Sequence, residues 1–241
     1  MSQPAASLGA VIAAAGSGTR MGGLDKLFTP LAGRPLLAHA LAAFEGCPAV
    51  ERVVLVLSPA SLERGRELVE AYGFHKVICV CLGGPRRQDS VCLGLEALRQ
   101  GSGQALGPCQ WVAIHDGARP LVTPDLILRG LEAAQETGAA VPALPLADTI
   151  KEAGAEGLVL RTLDRGRLWV VQTPQIFRYD LLLRAHREIT ADVTDDAAML
   201  EALGLLVRLF PGAATNLKVT TAEDLALAEA LLHLQVRASP S

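Results

Sequence analysis

The 241-residue sequence has little net charge and no long apolar run. Its formal net charge of −3 provides no overall basic field, which argues against nucleic acid as the main partner. No apolar stretch is long enough to span a membrane, and the N-terminal residues lack the basic region of a secretory signal. With 50% hydrophobic and 20% charged residues, the chain is expected to form a globular protein with one substantial core.

Several kinds of functional site are also missing from the sequence. The five cysteines are an odd number without the spacing of a disulfide framework. Cys79 and Cys81 lie in the apolar run Val77 to Leu82, where they are expected to fill a core face as small hydrophobic residues. The five histidines do not pair at zinc-ligand spacing, and there is no Gly-x-Ser-x-Gly sequence. These absences argue against a hydrolase, and we expect a reduced, cytoplasmic enzyme.

A glycine-rich segment from Ala13 to Lys26 follows the apolar run Leu8 to Ile12, which predicts a strand that opens into a loop. Small residues let backbone N–H groups surround an anion, and Arg20 and Lys26 add two cations. The glycines at positions 16, 18 and 22 have the spacing of neither a dinucleotide fingerprint nor a Walker loop. The segment suits a triphosphate, and the alternative is a surface turn with solvated charges.

Apolar runs alternate with helical patterns through the next part of the chain. Four runs are typical of buried strands: Arg52 to Leu57, Val77 to Leu82, Trp111 to Ile114 and Ala139 to Leu144. The alternation predicts an α/β fold, with a Rossmann-like, mostly parallel sheet flanked by helices. Ligands of such sheets bind beyond the carboxyl ends of the strands.

Two of these strand ends carry residues that suit an anionic ligand. Gly83-Gly84 precedes a helix expected to start near Ser90, although a turn capped by Asp89 or Ser90 would explain the same residues. Asp116 and Arg119 follow the strand at Trp111. A carboxylate beside a triphosphate suits hydrated Mg²⁺, and arginine suits phosphate, whereas a plain Asp116–Arg119 ion pair is the alternative.

The segment 146–172 breaks the α/β pattern. Its short alternating runs predict an extended β-hairpin arm with a turn near Gly154, within a single domain that spans residues 1–241. A projecting arm often completes a partner subunit's site or forms a dimer contact. The alternative is a simple surface excursion.

The last quarter of the chain contains acids and one lysine of interest. Asp195 and Asp196 suit the first turn of a helix and are not expected to be catalytic. Lys218 is expected in a short strand, just before a final helix capped by Thr220 and Glu223.

Seven short segments occur in the order found in one protein family. They are A-A-A-G-S-G-T-R-M-G, Gly83-Gly84 through Asp89-Ser90, H-D-G-A-R-P, D-T-I-K, D-R-x-x-L-W, T-P-Q and N-L-K-V-T. Through them the chain resembles the 2-C-methyl-D-erythritol 4-phosphate cytidylyltransferases of the non-mevalonate isoprenoid pathway, from Val11 to Leu231. One glycine-rich loop is a weak signal, but seven ordered segments are a specific one.

This resemblance implies a reaction, a fold and an assembly. Members of the family transfer CMP from CTP to 2-C-methyl-D-erythritol 4-phosphate, with Mg²⁺, and release pyrophosphate. The implied fold is the Rossmann-like sheet of nucleotide-diphospho-sugar transferases with an added β arm. The implied assembly is a homodimer formed through that arm.

The resemblance also implies a role for each matching residue. Nucleotide binding would involve Ala13, Ala14, Ala15, Gly16, Gly18, Gly83, Gly84 and Ser90. The catalytic cations would be Arg20, Lys26 and Lys218. Binding of the sugar-alcohol phosphate would involve Asp116, Arg119, Thr149, Arg165 and Thr173, with Asp116 also near Mg²⁺ through water.

Two departures from the family pattern and several rival functions bear on this interpretation. Leu27 stands where glutamine often follows the signature lysine, and Pro85 stands where a polar residue is common, so both bear on base recognition. A ribitol 5-phosphate cytidylyltransferase shares several of the segments, but Asp164-Arg165 with Leu168-Trp169 favours the methylerythritol enzyme. A non-catalytic nucleotide-binding regulator would have no reason to keep the cations, and the loop spacing disfavours an NAD dehydrogenase.

Overall fold

A central β-sheet organises the molecule, and the computed structural model describes residues 7–16, 26–101 and 109–238. The strands are β1 (Leu8–Ala14), β2 (Pro30–Leu31), β3 (Arg34–Pro35), β4 (Val50–Leu57), β5 (Val77–Leu82), β6 (Trp111–Asp116), β7 (Ala139–Pro145), β8 (Lys151–Ala153), β9 (Val159–Thr162), β10 (Trp169–Val171), β11 (Gln175–Arg178) and β12 (Arg208–Pro211). Within these residues, eight strands form the main sheet, in the order β10–β7–β11–β6–β1–β4–β5, with β12 also paired to β7.

Parallel pairing dominates the half of the sheet from β6 to the edge strand β5. The pairs β1–β4, β1–β6, β4–β5 and β7–β12 are parallel, whereas β11 runs antiparallel to β6 and β7, and β10 runs antiparallel to β7. The predicted fold class, a mostly parallel sheet flanked by helices, is therefore confirmed.

Helices cover both faces of the sheet. They are α1 (Leu36–Glu45), α2 (Leu62–Tyr72), α3 (Arg87–Gln100), α4 (Pro124–Thr137), α5 (Tyr179–Glu188), α6 (Asp196–Ala202) and α7 (Ala222–Ala238). Single 3₁₀ turns occur at Lys26–Phe28, Pro59–Ser61 and Arg165–Arg167. Among the described helices, none is both long and apolar enough to cross a membrane.

The side-chain alternation of β1 accounts for the two helical layers. Leu8, Ala10 and Ile12 point into a core shared with α1, α2 and α4, whereas Val11 points into a second core shared with α3, α5 and α6. Cys79 and Cys81 pack against the second core, as expected for small apolar residues. Because both faces are buried, the central strands are nearly continuous runs of apolar residues.

Two local expectations from the sequence are wrong. Lys218 lies in an irregular segment and not in a strand. The neighbouring Val219 N–H donates to the carbonyl of Ala118, but this one bond does not extend into the repeated backbone bonding of a strand pair. The last helix begins at Ala222, so its cap shifts by one residue: Asp224 N–H donates to Thr221 Oγ1 at 3.2 Å, and Thr221 N–H donates to Asp224 Oδ2 at 2.9 Å.

The segment 146–172 contains a hairpin and an edge strand. Strands β8 and β9 pair antiparallel with each other and form a sheet of two strands, separate from the main sheet. Its apolar side chains Leu158, Val159 and Leu160 are exposed. The end of the segment, β10, returns to the main sheet at Trp169↔Pro145.

A glycine in α3 sets how closely this helix approaches the sheet. A Cβ atom at Gly94 would lie 2.4 Å from Cγ1 of Val11 and 3.0 Å from Cγ2 of Val56. Helix α3 therefore packs directly on β1 and β4, which places its N-terminus beside the end of β1.

We expect Gly94→Ala to lower the free energy of unfolding by about 1–3 kcal/mol, because the added methyl overpacks the core. This loss should outweigh the gain of about 1 kcal/mol in helix propensity. Urea unfolding followed by circular dichroism measures it, with the exposed Glu96→Ala on the same helix as a control that should change little. A Gly94→Ala protein at least as stable as the unchanged one would contradict this packing.

Candidate active site

The carboxyl ends of β1 and β6 meet the start of α3 at a cleft of about 450 Å³. Parallel register aligns Ala13 of β1 with Asp116 of β6, so residues after each strand open into the same space. The cleft is lined by Ala13, Ala14, Ala15, Gly16, Lys26, Leu27, Gly84, Pro85, Arg86, Arg87, Ser90, Asp116, Ala118, Lys218 and Thr220.

The turn after β5 needs glycine because other groups crowd it. A Cβ atom at Gly83 would lie 2.4 Å from Cβ of Ala15, and one at Gly84 would lie 2.5 Å from Cβ of Asp89. Gly84 N–H donates to Ser90 Oγ at 3.1 Å, which ties the turn to the first turn of α3. A helix N-terminus and a close backbone at one edge of the cleft favour an anion there.

Asp116 is the centre of a charge cluster at the cleft. Its Oδ1 atom accepts a hydrogen bond from Arg87 Nε at 3.2 Å, and its Oδ2 atom accepts one from Lys218 Nζ at 2.8 Å. Its backbone N–H donates to Thr173 Oγ1 at 3.0 Å. The alternative of a plain Asp116–Arg119 ion pair is therefore wrong, since Asp116 pairs with Arg87 and Lys218, and Arg119 Nη1 donates to the carbonyl of Asn216 at 2.8 Å.

Lys26 and Lys218 enter the cleft from distant parts of the sequence. Lys26 Nζ donates to the carbonyl of Val219 at 3.3 Å, and Val219 N–H donates to the carbonyl of Ala118 at 2.9 Å. These bonds join the residue after the glycine-rich loop, the end of β6 and the segment before α7. Two of the predicted catalytic cations therefore lie at the same cleft.

The charges in this cluster support one another. Burial by itself would raise the pKa of the Asp116 carboxyl, but the positive charges of Arg87 and Lys218 outweigh this effect and hold the pKa well below its ordinary value. Burial would lower the pKa of Arg87, yet its two carboxylate partners raise it above the ordinary value. Asp116 and Arg87 are both charged at neutral pH.

A buried hydrogen-bond chain supports the backbone of Asp116. Thr173 Oγ1, which accepts from Asp116 N–H, lies 3.1 Å from His115 Nδ1, and His115 Nε2 lies 3.2 Å from the carbonyl of Arg119. Since a carbonyl only accepts, the proton of the neutral imidazole is on Nε2, and Thr173 donates to Nδ1. Asn216 Nδ2 completes the frame by donating to the carbonyl of Thr173 at 2.8 Å.

The structure brings some of the predicted site residues together and leaves others elsewhere. Arg119 and Thr173 lie behind the cleft and hold its frame, and Gly83 lies beside it. Thr149 and Arg165 are exposed in the segment 146–172 and do not line the cleft, although Arg165 donates to the carbonyl of Ala147. Gly18 and Arg20 are outside the described residues.

Two residues of the cluster were missed by the sequence interpretation. Arg87, the first residue of α3, contacts both Asp116 and Asp196, and Asp196 is fully buried. Asp196 suits the first turn of α6, as predicted, but its ion pair with Arg87 spans 109 residues. The sequence offered one signal, the helix expected to start near Ser90. A start three residues earlier, at Arg87, places that arginine at the cleft.

The side chains of the cleft show what kind of Mg²⁺ site they could form. Among the described residues there is no group of three or more His, Cys, Asp or Glu side chains that could hold a metal ion. Asp116 is the only carboxylate that lines the described part of the cleft. This fits an ion that takes most of its ligands from phosphate oxygens and water, which is the usual preference of Mg²⁺ at phosphate sites.

An α/β sheet whose strand ends carry a close glycine backbone and converging cations suits an enzyme that binds the phosphates of a nucleotide. The family model described as IspD, 2-C-methyl-D-erythritol 4-phosphate cytidylyltransferase, matches residues 8–234. The chain belongs to this family.

Individual relatives agree with this assignment. The chain is 52% identical to the 2-C-methyl-D-erythritol 4-phosphate cytidylyltransferase of Dehalococcoides mccartyi strain CBDB1, over 93% of this chain and 96% of that one. It is similar to the crystal structure of the Thermus thermophilus enzyme of the same name, at 37% identity and a TM-score of 0.74, covering 93% and 98% of the two chains. A 4-diphosphocytidyl-2C-methyl-D-erythritol synthase structure from Anaerococcus prevotii matches with a TM-score of 0.80 at 27% identity, over 94% and 96% of the chains.

The hydrogen-bond chain through His115 leads to a test of its protonation. Burial lowers the pKa of His115 from 6.5 to about 4, so we expect a neutral imidazole with the proton on Nε2 at pH 6. Imidazole ¹⁵N NMR measures this, with His115→Gln identifying the resonance. Because the folded pKa lies below the unfolded one, His115 should reduce stability progressively as the pH falls from 6.5 towards 4. A titration midpoint near 6.5 in the folded protein would rule out the buried, neutral state.

Proposed function

We propose that this enzyme transfers CMP from CTP to 2-C-methyl-D-erythritol 4-phosphate, giving 4-diphosphocytidyl-2-C-methyl-D-erythritol and pyrophosphate in isoprenoid precursor biosynthesis. The observation that carries the proposal is the family match over residues 8–234, together with a cleft at which Lys26, Asp116 and Lys218 converge. The family match does not favour the alternative substrate, ribitol 5-phosphate.

The reaction is a nucleotidyl transfer between two anions. An oxygen of the substrate phosphate forms a bond to the α-phosphorus of CTP, and the bond from that phosphorus to the bridging oxygen of the β-phosphate breaks, so pyrophosphate leaves with the electron pair. A phosphate oxygen is already ionised at neutral pH, so no general base is required. Charge neutralisation and in-line positioning are therefore the main tasks of the protein.

We assign nucleotide binding to the glycine-rich edge of the cleft. The backbone of Ala13–Gly16, with Gly18, Gly83, Gly84 and Ser90, would hold the cytidine and its phosphates. Leu27 is buried in the core, so it adds no polar group where glutamine is common, and Pro85 adds none either. Base recognition would then depend on backbone N–H and C=O groups, which Leu27 leaves unchanged and from which Pro85 removes one N–H.

We assign catalysis to the cations around the phosphates. Arg20, Lys26 and Lys218 would neutralise the charge that develops on the transferring group and on the departing pyrophosphate. Mg²⁺, held by phosphate oxygens and by Asp116 through water, would supply further neutralisation when bound.

We assign the second substrate to residues on both sides of a homodimer. Asp116 and Arg119 would hold it from within one subunit, with Thr173 supporting the same pocket. Thr149 and Arg165 are exposed and do not line the cleft of their own chain, so in this proposal they would reach the cleft of the partner subunit. The free cysteines suit a reducing cytoplasm as the location.

We expect pyrophosphate release when the purified protein is given CTP, Mg²⁺ and 2-C-methyl-D-erythritol 4-phosphate. Lys26→Ala and Lys218→Ala should each lower kcat on the order of 10²-fold, because each removes a stabilising charge from the transition state. A coupled pyrophosphate assay measures both effects.

The control for the lysine variants is Lys76→Ala. Lys76 donates to the carbonyl of Cys47 at 2.7 Å and does not line the cleft, so its removal should leave kcat nearly unchanged. Release of pyrophosphate with ribitol 5-phosphate but not with the methylerythritol substrate would overturn the proposed substrate. Near-normal turnover in a folded Lys26→Ala or Lys218→Ala protein would overturn that residue's role.

We expect the exposed apolar tip of the β8–β9 hairpin to hold the dimer together. Leu158 and Leu160 are 68% and 66% exposed, and with Val159 they form a run of three consecutive exposed apolar residues, which is typical of an interaction surface. Leu158→Glu combined with Leu160→Glu should convert a dimer to a monomer in light scattering after size exclusion. Leu206→Glu, at an equally exposed site outside the hairpin, is the control and should leave the dimer intact. A double variant that remains dimeric would exclude this interface.

A further inference from the structure

Arg87 joins the cleft to a carboxylate that has no access to solvent. Its Nε donates to Asp116 Oδ1 at 3.2 Å, and its Nη1 donates to Asp196 Oδ2 at 2.6 Å. The Asp196 side chain is 0% exposed, the Asp116 side chain 12% and the Arg87 side chain 30%. The guanidinium therefore spans from the interior to the edge of the cleft.

Asp196 depends on Arg87 for its charge partner. Its Oδ1 atom has no hydrogen-bond partner among the described residues, and the nearby His186 Nε2 lies 3.8 Å away. A buried carboxylate is costly unless it is paired, and a broken buried pair leaves an uncompensated charge. A geometric role therefore explains a fully buried acid at this position better than a contribution to stability does.

The geometry of Asp116 indicates what that task is. One carboxylate oxygen contacts Arg87 and the other contacts Lys218, so the rotation of the carboxylate decides where the Lys218 ammonium lies. A lysine side chain has several rotamers, and a single fixed partner removes much of that freedom. Arg87 can fix Asp116 because its planar fork contacts two carboxylates at once, which an ammonium group cannot do in the same geometry.

We propose that Asp196 and Arg87 are positioning residues for the transfer reaction. Asp196 anchors the Arg87 guanidinium, Arg87 orients the Asp116 carboxylate, and Asp116 holds the Lys218 ammonium at the cleft. The proposal rests on the proposed function only for its kinetic part, since the order of the Lys218 side chain is a property of the protein without substrates.

The first experiment follows Lys218 without any substrate. Lys26, Lys76, Lys151 and Lys218 are the only lysines of the chain, so ¹³C-lysine labelling yields a simple spectrum that Lys→Arg variants assign. In Asp196→Asn, and in Arg87→Lys, which adds a fifth lysine resonance, the Lys218 Cε resonance should shift and relax as a more mobile group, while that of Lys76 stays in place. An unchanged Lys218 resonance in both variants would overturn the proposal, whatever the activity of the protein is.

The second experiment separates positioning from charge and from structure. We expect Asp196→Asn and Arg87→Lys each to lower kcat roughly 10- to 100-fold with little change in the KM for CTP, because the cleft charge is kept or increased while the geometry is lost. Asp192→Asn, which removes an exposed carboxylate paired with the neighbouring Arg86, is the matched control and should retain kcat. If Arg87 acted only as a positive charge for phosphate, Arg87→Lys would keep kcat, and the proposal would fail.

A double-mutant cycle shows whether the effect passes through Asp116. In an Asp116→Asn background, Asp196→Asn should lower kcat much less than it does alone, because the group on which it acts is already changed. Equal effects in both backgrounds would assign Asp196 a purely structural role and overturn the proposal. Urea unfolding checks that each variant is folded, and Arg87→Lys keeps the test valid if Asp196→Asn does not fold.

Discussion

The Asp116 carboxylate is the point on which the arrangement of the cleft depends. It ends β6, its two oxygens accept from Arg87 and Lys218, and its backbone N–H donates to Thr173. Helix α3, the segment before α7 and the segment before β11 are thus held at one strand end. Without its negative charge, the Arg87 and Lys218 cations would repel each other beside the positive N-terminus of α3. One residue therefore joins the fold to the chemistry of the cleft.

The same cluster reconciles an acidic chain with an anionic ligand. The formal net charge is −3, yet the cleft gathers Lys26, Arg87 and Lys218 on the glycine-rich side of the sheet. Asp116 and Asp196 balance two of these cations in the protein without substrate. Attraction for a triphosphate is therefore local, and it acts through a few oriented groups and not through an overall basic field. Local charge also suits a reaction in which both reactants are anions.

The regular part of the molecule could be read from periodicity. The strand Val77–Leu82 has the predicted bounds, and Cys79 and Cys81 within it pack against a core as expected. The predictions were weaker where a boundary depends on a partner far along the chain. Helix α3 begins at Arg87 and not near Ser90, since Arg86 and Asp89 cap each other at its first turn. Asp196 suits a helix start for local reasons, and those reasons concealed its ion pair with Arg87.

The sequence by itself determined the α/β class, the strand ends that carry the cleft, and the identity of Lys26, Asp116 and Lys218 as candidates. These properties depend on local patterns, since apolar periodicity and short motifs are written in neighbouring residues. Only the tertiary structure decided which cations meet which carboxylates. Arg87 and Asp196 lie 109 residues apart, and Lys218 and Asp116 lie 102 apart, so no local pattern records either contact. The Lys218–Asp116 contact exists because β6 and β12 bring their carboxyl ends to one edge of the sheet, whereas Asp196 reaches Arg87 from the start of α6.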